Sequence, residues 1–186
     1  IGSFSFSMPK IITTGQGGAL VTNDEELANK LHKLKDFGRT AGGSDIHESV
    51  GYNSKFTEMQ AVIGLEQIKK LDFRIERKKE IWKRYRDNLS ATDQIVLYNH
   101  NLDLTTPWFI DSLCEDREDL ITFLKESYIG TRVMYPPLNN QECYRIKGHF
   151  PVSQDVGERG LWLPSYTQLS DEDVDYISER IIDFYC

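Results

Sequence analysis

The chain has 186 residues, 39% of them hydrophobic and 27% charged, the balance of an ordinary globular protein and enough for one substantial domain or two small ones. Acidic residues outnumber basic ones by 29 to 22, a net charge of -7. This argues against nucleic acid as the main partner, because affinity for its phosphates comes from clustered Lys and Arg. A small phosphorylated ligand needs only a few oriented N–H groups and stays open. Cys114, Cys143 and Cys186 are odd in number and widely spaced, which implies neither a metal site nor a disulfide framework. Buried thiols in a reducing cytoplasm are expected. No apolar run approaches the ~20 residues a membrane helix requires, and no signal-peptide pattern opens the chain.

At the start, Phe4 and Phe6 alternate with Ser3, Ser5 and Ser7, the period-2 pattern of a strand with one packed face. Pro9 holds Met8 extended and stops the strand just before Lys10. Thr13-Thr14-Gly15-Gln16-Gly17-Gly18 then forms a tight turn whose glycines allow close backbone approach. A lone loop lysine is ordinarily a solvated charge. An amine that attacks a carbonyl must instead be partly withdrawn from water or held near another cation. The serines beside Lys10 could hydrogen-bond a phosphate.

Ala19–Thr22 reads as a short strand. Asn23-Asp24-Glu25-Glu26 supplies an N-cap and first-turn acids for a helix that carries Leu27, Leu31 and Leu34 on one face and ends near Gly38. Residues 39–50 have no periodicity and predict a mobile surface loop, with His47 as a solvated loop histidine. Gly51-Tyr52-Asn53 reads as a tight turn, which Asn tolerates. Thr57 and Gln60 have capping-box spacing. Ala61, Leu65, Ile68, Leu71 and Ile75, continued by Trp82, Tyr85 and Leu89, predict one long helix over about 57–89, bent near Gly64. Glu76–Lys79 and Glu80–Arg84 can pair on its wet face.

Beyond residue 94, strands are expected at 94–98, 105–113 and 131–135, the last stopped by Pro136-Pro137. A helix capped near Asp116 carries Leu120, Phe123 and Leu124. Short helical stretches are expected near 140–147 and 153–160. A final helix opens at Ser170-Asp171-Glu172-Asp173 and turns Val174, Ile177, Ile181 and Phe184 inward.

Phe4-Ser5-Phe6, Lys10 and Thr13–Gly18, followed by Gly51-Tyr52-Asn53, Glu58-Met59-Gln60-Ala61 and Ile63–Ile68, closely resemble the two signatures of the DegT/StrS-type pyridoxal-phosphate sugar aminotransferases. The Tyr135-Pro136-Pro137-Leu138 and Leu163-Pro164-Ser165-Tyr166 segments resemble landmarks of the same enzymes. The resemblance implies an α/β and α+β chain, the C-terminal part of a fold-type I pyridoxal-phosphate transferase. Residues 1–56 would be the remainder of the large cofactor-binding domain, 57–90 a connecting helix and 91–186 a small C-terminal α+β domain.

It further implies that Lys10 is the Schiff-base lysine and that Ser5 binds the phosphate of pyridoxal 5'-phosphate in its own subunit. Asn53 would reach that phosphate in the partner of a homodimer with a shared active site. Ser7 and Met134 stand where the family tends to face the sugar, and for Tyr135 two places stay open, the lining of the same pocket and the core. The reaction implied is transfer of an amino group, commonly from glutamate, to a keto-sugar nucleotide in a cytoplasmic enzyme. Gln16 stands in place of Glu, a mild change, whereas Ser7 in place of an aromatic or His and Met134 in place of a His bear on the substrate. A branch of the family with His in place of the lysine removes a sugar hydroxyl, and Lys10 argues against that chemistry.

Family members are about twice this length, and their nitrogen-pairing carboxylate, ring-stacking aromatic and Gly-Thr phosphate turn precede the lysine. The chain is therefore expected to be an incomplete segment, inactive alone, with an exposed sheet edge that invites a partner. Two competing readings are a non-catalytic dimerisation or regulatory module and a nucleotide-phosphate loop at Thr14–Gly18. The second lacks the Gly-Lys-Ser/Thr ending of a P-loop and leads into a strand.

Overall fold

A computed structural model of the chain describes residues 1–40 and 42–186. Ala41, part of the loop expected at 39–50, lies outside the described residues. The chain divides into two compact units, Ile1–Asp72 and Phe73–Cys186.

In the first unit, β1 (Gly2–Ser5) pairs antiparallel with β2 (Gly18–Val21), Ser5 opposite Gly18. Helix α1 (Glu25–Lys35) follows, and Asp24 caps it by accepting the Leu27 N–H. The strand is shorter than its alternation suggests. Phe6 leaves the ladder because its carbonyl accepts the Thr14 N–H and the Thr13 hydroxyl, and Ser7–Lys10 form a turn closed by the Lys10 N–H on Ser7 O. Met8 therefore sits in a turn and is not extended. On the expected packed face Phe4 is more than half exposed, while Phe6 is half-buried.

The loop after α1, read from the sequence as a surface loop, carries a set of hydrogen bonds. Arg39 and His47 form an isolated bridge, and Glu48 accepts from Lys33 Nζ at 2.7 Å and from the Thr40 hydroxyl at 2.9 Å. Gly38 takes φ +79° and turns its N–H onto Lys33 O, 2.8 Å away.

The single long helix of the sequence reading is two helices, α2 (Glu58–Ile68) and α3 (Leu71–Asn88). The break falls at Lys69–Lys70, where the Lys70 N–H bonds Gln67 O (3.0 Å), a tightened turn in place of the α-helical bond. Gly64 does not bend the chain. It makes room for the Thr14 methyl, which would lie 3.2 Å from a β-carbon there. The Thr57–Gln60 capping box forms as expected. The apolar stripe is uncovered over α2, whose Leu65 and Ile68 are exposed, and buried over α3, whose Ile81, Trp82 and Tyr85 are in the core.

The second unit is an antiparallel sheet of order β3-β4-β6-β5, from β3 (Ile95–Leu97), β4 (Ile110–Cys114), β5 (Arg132–Val133) and β6 (Gly160–Leu163). One face packs on α3, α4 (Arg117–Glu126) and α6 (Asp171–Tyr185) through Ile110, Leu161, Leu120, Leu124, Val174 and Ile181. Alternation along β4 is clean, with Ile110, Ser112 and Cys114 buried and the residues between them half-buried. The buried Ser112 hydroxyl spends its proton on Leu161 O at 2.8 Å, which meets the cost of placing a polar group in the core.

Several local readings are corrected here. Asp116 precedes α4 in the left-handed region and makes no side-chain cap. In the 140–147 region only a single 3-10 turn forms, at Leu138–Asn140, while α5 spans Pro151–Arg159. Glu80 pairs with Arg77 (3.1 Å), because Arg84 is drawn to Asp171 and Asp175 of α6. Of the three free thiols only Cys114 is buried, and Cys143 and Cys186 are exposed. Among the described residues no helix is long and apolar enough to cross a membrane.

Candidate active site

Lys10 rides on a compact loop, Phe6–Gly17, whose ends meet. The Phe6 N–H bonds Gly17 O at 2.9 Å, and Phe6 O accepts the Thr14 N–H at 3.0 Å and the Thr13 hydroxyl at 3.0 Å. Thr13 Oγ1 in turn accepts the Gly15 N–H (3.0 Å), and the Thr14 hydroxyl donates to Gln16 O (2.8 Å). Such closed loops are held by their own side chains. The Thr-Thr-Gly run thus braces the lysine loop at its base and leads straight into β2, which removes the helix that a nucleotide-phosphate loop requires.

Neighbouring residues of the same unit buttress this base. The Phe56 ring stands edge-on to Phe6 at 6.5 Å, and Gln60 Nε2 donates to Gln16 O at 2.8 Å. Gly17, at φ +132°, admits the Phe56 ring where a β-carbon would come within 2.5 Å of it.

Within the loop, Lys10 is half-buried. Ser7 connects it to Ser5: the Lys10 N–H bonds Ser7 O (3.1 Å), the Ser7 N–H bonds Ser5 Oγ (3.3 Å), and the two hydroxyls lie 3.0 Å apart. Two of the predicted site residues, Lys10 and Ser5, are therefore joined within one turn by Ser7, through the Lys10 backbone and the Ser5 hydroxyl.

Asn53 is exposed and sits in an antiparallel bridge with Asp36, where the sequence suggested a tight turn. The Tyr52 N–H bonds Leu34 O (2.7 Å), Phe37 N–H bonds Tyr52 O (3.0 Å) and Ser54 N–H bonds Lys35 O (3.0 Å). This ladder fixes the segment along the end of α1 and presents the Asn53 amide to solvent. Asp36 reinforces it by accepting from Arg39 Nη2 at 2.7 Å and Lys55 Nζ at 3.0 Å. Those two cations hold its carboxyl below the usual range, and Arg39 is raised in return.

The remaining predicted residues lie in the second unit. Met134 is buried, its N–H on Gly160 O (3.1 Å) and its side chain filling the space a β-carbon at Gly160 would need. Tyr135 is 61% exposed and is not a core residue. Its ring stands edge-on to Trp162 at 5.0 Å, with the Arg132 guanidinium over both rings.

The sequence reading overlooked Lys78. It is buried on α3 and donates to Trp108 O (2.8 Å) and Ser165 Oγ (3.0 Å), and burial lowers its pKa to about 8. Its neighbours Arg77, Lys79 and Lys83 disguise it as one more charge on a wet face.

The hairpin, lysine loop and paired helices, with the small antiparallel sheet, define the lysine-bearing part of a pyridoxal-phosphate-dependent aminotransferase fold. A DegT DnrJ EryC1 StrS aminotransferase from Brucella abortus matches with a TM-score of 0.87 and 28% identity over 98% of this chain and 50% of its own. DesV of S. venezuelae matches with a TM-score of 0.88 and 27% identity over the same shares. In sequence, the GDP-perosamine synthase of Escherichia coli O157:H7 is 37% identical over 100% of this chain and 52% of its own length. The chain thus spans about half the length of these relatives. The model of the DegT/DnrJ/EryC1/StrS aminotransferase family matches residues 1–182, and the chain belongs to that family.

Proposed function

We propose that the chain is the lysine-bearing half of an aminotransferase that moves an amino group from a donor such as glutamate onto a keto-sugar nucleotide. The observation that carries this reading is Lys10, half-buried on a self-closed loop and tied through Ser7 to the Ser5 hydroxyl. A lysine on a half-buried turn and a serine hydroxyl bonded to the same turn fit pyridoxal phosphate, an aldehyde with an anionic tail.

When bound, that cofactor supplies a conjugated ring able to accept electrons from the bond being broken. The chain's own residues do the rest. Lys10 would hold the cofactor through its aldehyde group, and its amine would be the acid–base group that moves a proton at the substrate carbon. Ser5 grips the phosphate in its own subunit, and Asn53, exposed on its bridged segment, grips that of a second copy in a homodimer. Met134 and Tyr135 are assigned to the sugar, and Tyr135, exposed where Met134 is buried, is the better placed of the two to meet a ligand. Residues 1–56 serve the cofactor-binding domain, 57–90 connect, and 91–186 form the small domain. A reducing cytoplasm would keep all three cysteines as the thiols observed.

The test uses a polypeptide of full family length that contains this chain. Incubation with pyridoxal phosphate and reduction with borohydride should leave the cofactor on the Lys10 peptide, and glutamate plus a keto-sugar nucleotide should give the amino sugar. A folded dimer that takes no label would overturn the enzyme reading in favour of a non-catalytic module.

A further inference from the structure

We propose that Ser7 sets the direction of the Ser5 hydroxyl, so that Ser5 can only donate outward, to an anionic oxygen. The inference rests on the reading of Ser5 as a phosphate ligand and adds a positioning residue to it. A serine hydroxyl has one proton and two acceptor lone pairs. The Ser7 N–H lies 3.3 Å from Ser5 Oγ, and that bond can run only toward Ser5, so one lone pair is occupied. The hydroxyl–hydroxyl contact at 3.0 Å could run either way. If Ser5 donated to Ser7, its one proton would be spent inside the loop and a phosphate oxygen would face only lone pairs. If Ser7 donates, both lone pairs of Ser5 are filled from within and its proton points out of the loop, to water or to a bound ligand.

A bound anion selects the second arrangement, because every group then has a partner. The chain from Ser7 hydroxyl to Ser5 hydroxyl to anion also strengthens each bond by polarising the next. Ser7 is well held for this task, since its carbonyl accepts the Lys10 N–H at 3.1 Å and fixes the turn between the two site residues. Removing its hydroxyl leaves those backbone bonds in place, so the effect on Ser5 can be separated from an effect on the loop.

The test is a visible-absorbance titration of the full-length polypeptide with two probes, pyridoxal phosphate and pyridoxal, which lacks the phosphate. Ser7→Ala should weaken pyridoxal phosphate binding about tenfold, the scale of one hydrogen bond feeding a charged acceptor. It should leave pyridoxal binding and borohydride labelling of Lys10 as in the wild type, while Ser7→Thr, which keeps the hydroxyl, restores affinity. The double variant Ser5→Ala/Ser7→Ala should bind no more weakly than Ser5→Ala, because Ser7 acts through Ser5.

Wild-type affinity for pyridoxal phosphate in Ser7→Ala, an equal loss for pyridoxal, or additive losses in the double variant would each overturn the role of Ser7 while Lys10 still labels. Wild-type affinity in Ser5→Ala would overturn the phosphate assignment itself, and this proposal with it.

Discussion

Gly38 and Gly51 pack backbone to backbone: a β-carbon on Gly51 would fall 2.0 Å from the Gly38 nitrogen, and one on Gly38 would fall 1.8 Å from Ser49 O. The two residues close the ladder that carries Asn53. Gly38→Ala meets a backbone atom at a positive φ, a strained position for any side chain. It should destabilise the protein by about 1–3 kcal/mol, the usual range for overpacking. Because the neighbouring segment must shift, pyridoxal phosphate affinity should fall as well. Denaturant midpoints together with a cofactor titration check both effects; loss of stability with wild-type affinity would dissociate this ladder from the placement of Asn53.

Lys10→Ala should abolish borohydride labelling. Turnover should fall by more than the roughly 10²–10⁴-fold typical of losing an acid–base group alone, because the covalent attachment point is lost too. Peptide mapping after reduction and a coupled amino-transfer assay provide the two measurements.

Lys78 gives a pH signature in stability. Burial lowers its pKa in the folded chain to about 8 from the ordinary 10.5. Between these values the unfolded chain holds the proton and the folded chain does not. The stability cost is therefore complete below about pH 8 and is relieved as pH rises toward 10.5. The relief amounts to at most about 3 kcal/mol, reduced by whatever the bonds to Trp108 O and Ser165 Oγ return to the charged form. In Lys78→Met the rise should be absent; urea midpoints of both proteins from pH 7 to 11 decide it.

Asp175 gives a second window, at low pH, where folding favours the charged form. Arg84 forks onto it (Nε to Oδ1 2.6 Å, Nη2 to Oδ2 2.5 Å) and Asn88 adds a third donor at 2.8 Å, holding the carboxyl at about 2 against the ordinary 3.8. A depressed carboxyl contributes stability that is present above the ordinary value and is lost as pH falls through the folded one. The pair is solvent-screened, so the contribution is small. Asp175→Asn should flatten the part of the acid unfolding profile between pH 4 and 2, measured by circular dichroism. A profile identical to wild type would mean the fork adds nothing.

Local chemistry was legible along the chain. Asp24, Thr57 and Ser170 cap the helices they precede, since a cap needs only a side-chain oxygen within three residues of an unpaired N–H. The inward stripe of α6 was equally readable, because period alone decides which side chains share a face. The lysine loop was recognisable as a motif, yet its closure on Phe6 O was not, for that carbonyl could have continued the strand. The break at Lys69–Lys70 carries no Gly or Pro, so nothing local announces it.

The resemblance of two local motifs to a known family was enough to single out Lys10, Ser5 and Asn53 and to place the chain among the sugar aminotransferases, because a motif is a local arrangement that travels with its sequence. Only the fold could show that Ser7 joins Ser5 to Lys10, that the Asn53 segment is a bridged ladder and that Lys78 is buried. Each of those depends on which distant groups arrive at one point in space, and pairwise distance is a property that no linear pattern encodes.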